Sequence, residues 1–170
     1  MQIFFLPQWL TILLCFALWP VIQVSIAILC TKIPQAKLSY SSGIFKSHRW
    51  EKNGSIYETL LKVKKWKKFL PDGGAVMKNG YRKKRLRNYS VCELEKFLAE
   101  SCRAELVHLL AILPFWIFGF FAPIEILVYM LIYALSVNLP CIIVQRYNRP
   151  RILHLMEKIK LKVSDCDKIL

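Results

Sequence analysis

All 25 lysines and arginines of this chain fall in two stretches, Lys32–Arg103 and Arg146–Lys168, and the two blocks without them are almost wholly apolar. Loops held on the cytoplasmic side of a membrane collect Lys and Arg, so the segregation marks an all-α integral membrane protein and assigns its sides. Residues 3–30 carry no formal charge and exceed the roughly 20 residues that cross a hydrocarbon core. They predict a span at about 4–30, starting near Pro7 and tilted or kinked at Pro20. Residues 106–145 hold a single acid, Glu125, and are long enough for two antiparallel spans. These are expected at about 106–121 and 124–145, with the turn at GFFAP, Gly119 to Pro123.

Three spans with both basic segments in the cytoplasm put the N-terminus outside. Residues 1–170 then form a single membrane domain with a cytoplasmic loop at 31–105, a cytoplasmic tail at 146–170 and a place in the cell membrane. The first block has neither a positively charged leader nor a small-residue cleavage site, so it reads as a retained span instead of a signal peptide. Leu29 is too large for a lipoprotein site at Cys30. A net charge of +14 raises the question of nucleic acid. Positive-inside bias and attraction to anionic lipid, about 1 kcal/mol per juxtamembrane cation, account for that charge, and no nucleic-acid partner is expected. The six cysteines lack CxxC spacing and read as reduced structural thiols. His48, His108 and His154 are too scattered to form a metal site.

Within the basic loop, Ser55 and Glu58 make an S-x-x-E capping pattern that predicts a helix ending at Pro71. Ile56, Leu60, Val63 and Leu70 share one face, with Lys62, Lys65 and Lys68 off it, as in a helix resting on a bilayer surface. Lys67 breaks the pattern by pointing along the apolar side. It either snorkels to the headgroups or anchors an anion. A second capping pattern, Ser90 to Glu93, opens a helix predicted to run unbroken into the second span. Between them, Lys78 to Asn88 is a charged loop. The tail predicts another surface helix, with Pro150 in its first turn and Ile152, Met156, Ile159 and Val163 at helical spacing.

Glu105 and His108 lie three residues apart, hence on one helix face, where the second span enters the membrane. A carboxylate there can orient an imidazole as a general base near neutral pH. The alternative is a structural bond from His108 to a neighbouring helix. Asn138 sits about 12 Å of helical rise before Arg146. It precedes Pro140, which frees a carbonyl near Ser136 that Asn138 or a neighbour can satisfy. Arg146, Arg149 and Arg151 have the fork geometry for phosphate, or serve as ordinary loop anchors. The HxxxxD acyltransferase pattern fails, since Asn53 follows His48 at that spacing, and GxSxG, Walker A and GxGxxG are absent.

Four ordered segments, IFKSHRWEKNGSIY (44–57), VKKWKKFLPDGG (63–74), RAELVHLLAILP (103–114) and NLPCIIVQRYNRPR (138–151), resemble the glycosyl-4,4'-diaponeurosporenoate acyltransferase family. The similarity covers roughly residues 25–152. It implies esterification of the primary sugar hydroxyl of a carotenoid glucoside with a fatty acyl chain, in staphyloxanthin-type glycolipid synthesis. Carried over residue by residue, it singles out Glu51, Trp66, Lys67, Asp72, Glu105, His108, Asn138, Arg146, Asn148 and Arg149. The expected roles are His108 as base oriented by Glu105, Asn138 and Trp66 as oxyanion donors, and Lys67, Arg146 and Arg149 on the donor's phosphates. No metal or bound cofactor is expected. The donor is an acyl-CoA or acyl carrier protein thioester, the acceptor a lipid-like glycosylated carotenoid, and other enzymes of the pathway are candidate partners. Two rivals stand beside this reading: an acyltransferase for another glycolipid, and a non-enzymatic membrane scaffold subunit of a lipid pathway.

Overall fold

The computed structural model of the chain describes residues 2–41, 43–70 and 90–167, the last of these, 162–167, by their backbone. Asp72 and the charged loop at 78–88 lie outside the described residues, as does the expected helix end at Pro71. Every regular element among the described residues is helical. The α-helices are α1 (Gln8–Thr31), α2 (Ser55–Leu61), α3 (Val63–Trp66), α4 (Val91–Ile112) and α5 (Ile124–Asp167). Three helical stretches, Gln8–Thr31, Val91–Phe120 and Ile124–Leu161, are long and apolar enough to cross a membrane, as the charge pattern predicted. The third rises about 57 Å, nearly twice a ~30 Å hydrocarbon core, so only part of it is needed to cross. The chain divides into two compact units, Met1–Pro34 with Arg103–Ile142, and Gln35–Cys102 with Ile143–Leu170.

In the first unit α1 starts directly after Pro7, whose carbonyl accepts from the N–H groups of Leu10 and Thr11. Its buried face holds Cys15 and Trp19, which pack with Phe118, Phe121, Ala122 and Ala134. Trp19 meets Tyr133 edge-on at 5.4 Å and Phe118 at 5.7 Å. Small residues let the backbones approach, the main source of helix association where lipid removes any hydrophobic drive. Trp9, Phe16, Val21 and Leu29 on the other side of α1 are exposed, as lipid contact requires. The turn falls at GFFAP as predicted: Leu113–Phe120 tightens into a 3₁₀ helix, and the Ala122 N–H closes onto the Phe118 carbonyl at 2.8 Å. The N–H groups of Ile3 and Phe4 then bond the Phe120 carbonyl. The last turn of α1 has no basic residue of its own. Arg103 supplies the cap, donating to the carbonyls of Cys30 (2.6 Å), Ile33 (2.8 Å) and Thr31 (3.3 Å).

The second unit departs from two sequence expectations. The helix predicted from Ser55 to Pro71 breaks at Lys62, which adopts φ 50°, ψ 45°. Left-handed backbone is unfavourable for lysine. The break is nonetheless satisfied on both sides, because the Glu58 carboxylate accepts from the Lys64 N–H at 3.1 Å and the Trp66 indole N–H donates to the Leu61 carbonyl at 2.8 Å. It also brings Val63 to full burial against Tyr57 and Tyr147. Ser55 does not cap through its side chain; its hydroxyl turns back to the Lys52 carbonyl. Ser90, by contrast, accepts from the Glu93 N–H as its pattern predicted, and α4 continues unbroken to Ile112.

The second departure is at Pro150, which does not start a new helix but lies inside α5. Proline there removes the N–H that would bond the Arg146 carbonyl. The freed site is covered by Gly54 at φ +79°, where an added Cβ would stand 3.3 Å from the Arg146 carbonyl and 3.2 Å from that of Tyr147. Arg151 bonds the Tyr147 carbonyl at 2.5 Å and lies 3.5 Å from the centre of its ring. These contacts carry the helix through the proline.

Candidate functional site

Six of the candidate residues gather in two polar centres, one in each unit: Glu105, His108 and Asn138 in the first, and Glu51, Arg146 and Arg149 in the second. In the apolar unit, His108 Nδ1 lies 2.9 Å from Asn138 Oδ1. Asn138 is 1 % exposed, and its amide nitrogen donates to the Ala134 carbonyl, one turn back on α5, at 2.8 Å. That bond fixes which end of the amide faces the imidazole. An oxygen can only accept, so the hydrogen of the neutral ring sits on Nδ1 and Nε2 carries the lone pair. Glu105, fully buried one turn before His108 on α4, shares its face. The amide hydrogen that bonds Ala134 therefore reaches neither the freed carbonyl near Ser136 nor a substrate oxyanion, and the amide oxygen sets the tautomer of the neutral ring.

The second centre forms around Glu51, 1 % exposed within an irregular segment, Arg49–Gly54. Lys52 and Asn53 there take φ values of 45° and 54°. This left-handed run reverses the chain, so that residues before and after Glu51 converge on its carboxylate. Oε1 accepts from the Tyr57 hydroxyl and from Arg146, both at 2.7 Å. Oε2 accepts from the Ser47 hydroxyl at 2.8 Å and the His48 N–H at 2.9 Å. Burial opposes the charge of Glu51, but the bonds from Tyr57, Arg146, Ser47 and His48 outweigh it together and bring its pKa down to about 2. The Tyr57 hydroxyl is pushed well above its ordinary value, first by burial and then by donating to that carboxylate. Arg146 also donates to the Ile44 carbonyl at 2.6 Å, and the buried Arg149 to that of Phe45 at 2.7 Å. Beside this hub is a cavity of about 240 Å³ lined by Ser41, Lys46, Ser47, Glu51, Arg146 and Arg149, with Tyr40, Pro150 and Leu153 completing its wall.

Lys67 does turn inward, as its place in the pattern predicted, but its ammonium has protein partners. It donates to Asn148 Oδ1 at 3.0 Å and sits 4.9 Å from the centre of the buried Tyr147 ring. Burial, then the nearby Arg151 charge, lowers its pKa. Lys67 does not line the cavity, whereas Arg146 and Arg149 do. Trp66, expected as an oxyanion donor, has its indole N–H committed to Leu61. Sequence reasoning missed Tyr57, Ser47, Ser41 and Lys46. The turn dipeptide Asn53-Gly54 was the available signal that the chain folds back near Glu51.

A family model described as glycosyl-4,4'-diaponeurosporenoate acyltransferase matches residues 41–158, a range that includes both centres. The chain belongs to this family. It is 38% identical over 150 residues to the glycosyl-4,4'-diaponeurosporenoate acyltransferase of Staphylococcus aureus strain MRSA252, covering 88% of this chain and 90% of that relative. The enzyme of the same name from strain Newman is 38% identical over 152 residues, with 89% and 92% covered. That of strain USA300 is 38% identical over 150 residues. No solved structure matches the chain. As a member of a glycosyl-4,4'-diaponeurosporenoate acyltransferase family it is an acyltransferase, and its three apolar helices make it a multi-pass membrane protein.

Proposed function

We propose that this chain transfers a fatty acyl group from a thioester to the primary sugar hydroxyl of a glycosylated carotenoid, with His108 as general base. The observation that carries the role of His108 is its bond to Asn138 Oδ1, an acceptor that favours the neutral tautomer with its hydrogen on Nδ1. Nε2 takes the proton of the sugar hydroxyl as that oxygen attacks the thioester carbonyl carbon. The tetrahedral intermediate then collapses, the C–S bond breaks, and the departing thiolate takes the proton from His108 to leave as a thiol. His108 lies about 7.5 Å of helical rise past Arg103 on α4. A base at that depth suits two substrates whose tails stay in lipid, since only their reactive ends need aligning.

The donor is an acyl-CoA or an acyl carrier protein thioester, and the enzyme works in the cell membrane beside others of its pathway. The positive-inside bias orients it with the N-terminus outside and both basic segments in the cytoplasm. The test is mass spectrometry of lipids made by membranes carrying the parent or His108→Ala, at matched protein level. The expected result is an acylated carotenoid glycoside from the parent and a loss on the order of 10²–10⁴-fold in the variant. Parental turnover by His108→Ala would remove the base. If no carotenoid glycoside is acylated but another glycolipid is, the acceptor assignment fails and the reaction class stands.

A further inference from the structure

The cavity beside Glu51 is built around a carboxylate that has no capacity left. Each of its oxygens already accepts two hydrogen bonds, from Tyr57 and Arg146 on one and from Ser47 and His48 on the other. The lining sets three cations, Lys46, Arg146 and Arg149, against this one acid. What faces a guest is therefore donor-rich and positive. Arg146 and Arg149 are held in place by the Ile44 and Phe45 carbonyls, so their guanidinium groups are preorganised. Lys46, the residue after Phe45, is exposed and can close on an incoming group. The volume falls below the roughly 300–1,000 Å³ of sites for whole drug-sized ligands, which suits a headgroup-sized fragment.

We propose that this cavity is a binding site for a phosphate group, with Lys46 as its mobile cation and Ser41 as a hydroxyl donor. Two fixed guanidinium charges with an adjacent exposed ammonium and a hydroxyl match the charge and the acceptor oxygens of a phosphate ester. Two sources carry that chemistry: the phosphate ester of a soluble acyl carrier such as coenzyme A, and the headgroup of an anionic phospholipid. The site stands on its lining and not on the acyl-transfer reading, so its test uses binding alone.

The full chain is placed in phosphatidylcholine nanodiscs and titrated with coenzyme A by calorimetry. In a second arm, thermal stability is measured as phosphatidylglycerol replaces phosphatidylcholine. The expected result is saturable binding or stabilisation in at least one arm, weakened roughly tenfold or more by Lys46→Gln, as for loss of a charged hydrogen bond. Ser41→Ala weakens it less, and Lys37→Gln, an exposed lysine of the same unit away from the cavity, leaves it unchanged. A response to coenzyme A identifies the soluble ester as the guest, and a response to phosphatidylglycerol alone identifies the lipid. Silence in both arms, or equal effects of Lys46→Gln and Lys37→Gln, overturns the site.

Discussion

Replacing Glu51 by Gln is the sharpest perturbation of the basic unit, because the amide is nearly isosteric but cannot serve the same four donors. Whichever oxygen becomes the NH₂ group, two donors lose their acceptor: Tyr57 and Arg146 in one orientation, Ser47 and His48 in the other. A hydroxyl can rotate and accept instead, but the Arg146 guanidinium and the His48 N–H cannot. At least one donor is thus orphaned, at about 1–3 kcal/mol, and a largely buried guanidinium loses its counter-charge in the cluster. Breaking a buried pair by removing one partner costs about 3–5 kcal/mol, and that is the expected loss for Glu51→Gln. Urea titration in detergent micelles, followed by circular dichroism and tryptophan fluorescence, measures it. The pH dependence supplies a second check. The folded-state pKa of about 2 lies below the ordinary 4.5, so the ionised carboxylate stabilises fully above pH 4.5 and this contribution is lost as pH falls towards 2. The parent should weaken through that window, and the gap between parent and Glu51→Gln should narrow. A variant within about 0.5 kcal/mol of the parent at neutral pH would refute the reasoning, since that is the range of an ordinary surface substitution.

Gly54→Ala should destabilise by roughly 1–3 kcal/mol, because φ +79° is unfavourable for alanine and the new Cβ meets two carbonyl oxygens; the same titration reads it. Asn138→Leu should lower kcat by about 5–150-fold with little change in KM, as the imidazole loses the bond that sets its tautomer. Asn138→Asp, which still offers an acceptor, should recover part of that rate, whereas equal losses would make Asn138 a packing residue only. Cysteines introduced at Lys32 or Lys46 should escape impermeant thiol reagents in intact cells, and labelling at either from outside would reverse the proposed orientation.

Of the centre around His108, the sequence indicated both His108 and Asn138 and set them at similar depth, but it did not show that they bond each other. Periodicity reveals residues three or four apart on one helix, which is why Glu105 stood out. Asn138, which bonds the ring in the structure, is 30 positions away on another helix. The hub around Glu51 was hidden for the same reason, since its arginine lies 95 positions along the chain. Local pattern also overstated two simple elements. An uninterrupted amphipathic run predicted one helix through Lys62, and a proline predicted a new helix at Pro150. The structure breaks the first and continues the second, because Glu58 and Trp66 satisfy the ends at Lys62 while Gly54 and Arg151 cover the carbonyls beside Pro150.

What the sequence by itself determined was the solvent each segment requires. Uncharged blocks of span length must lie in lipid and cation-rich blocks in water or headgroups, a matter of transfer free energy that needs no knowledge of neighbours. The three long apolar helices, the turn at GFFAP and the Ser90 cap follow from that and from local backbone chemistry. Only the tertiary structure decided which buried polar groups meet. A buried donor or acceptor without a partner is costly, so each is drawn to whichever partner the packing brings within about 3 Å. That choice gave His108 its tautomer through Asn138 and placed Arg146 on Glu51, and it depends on contacts between segments far apart in the chain.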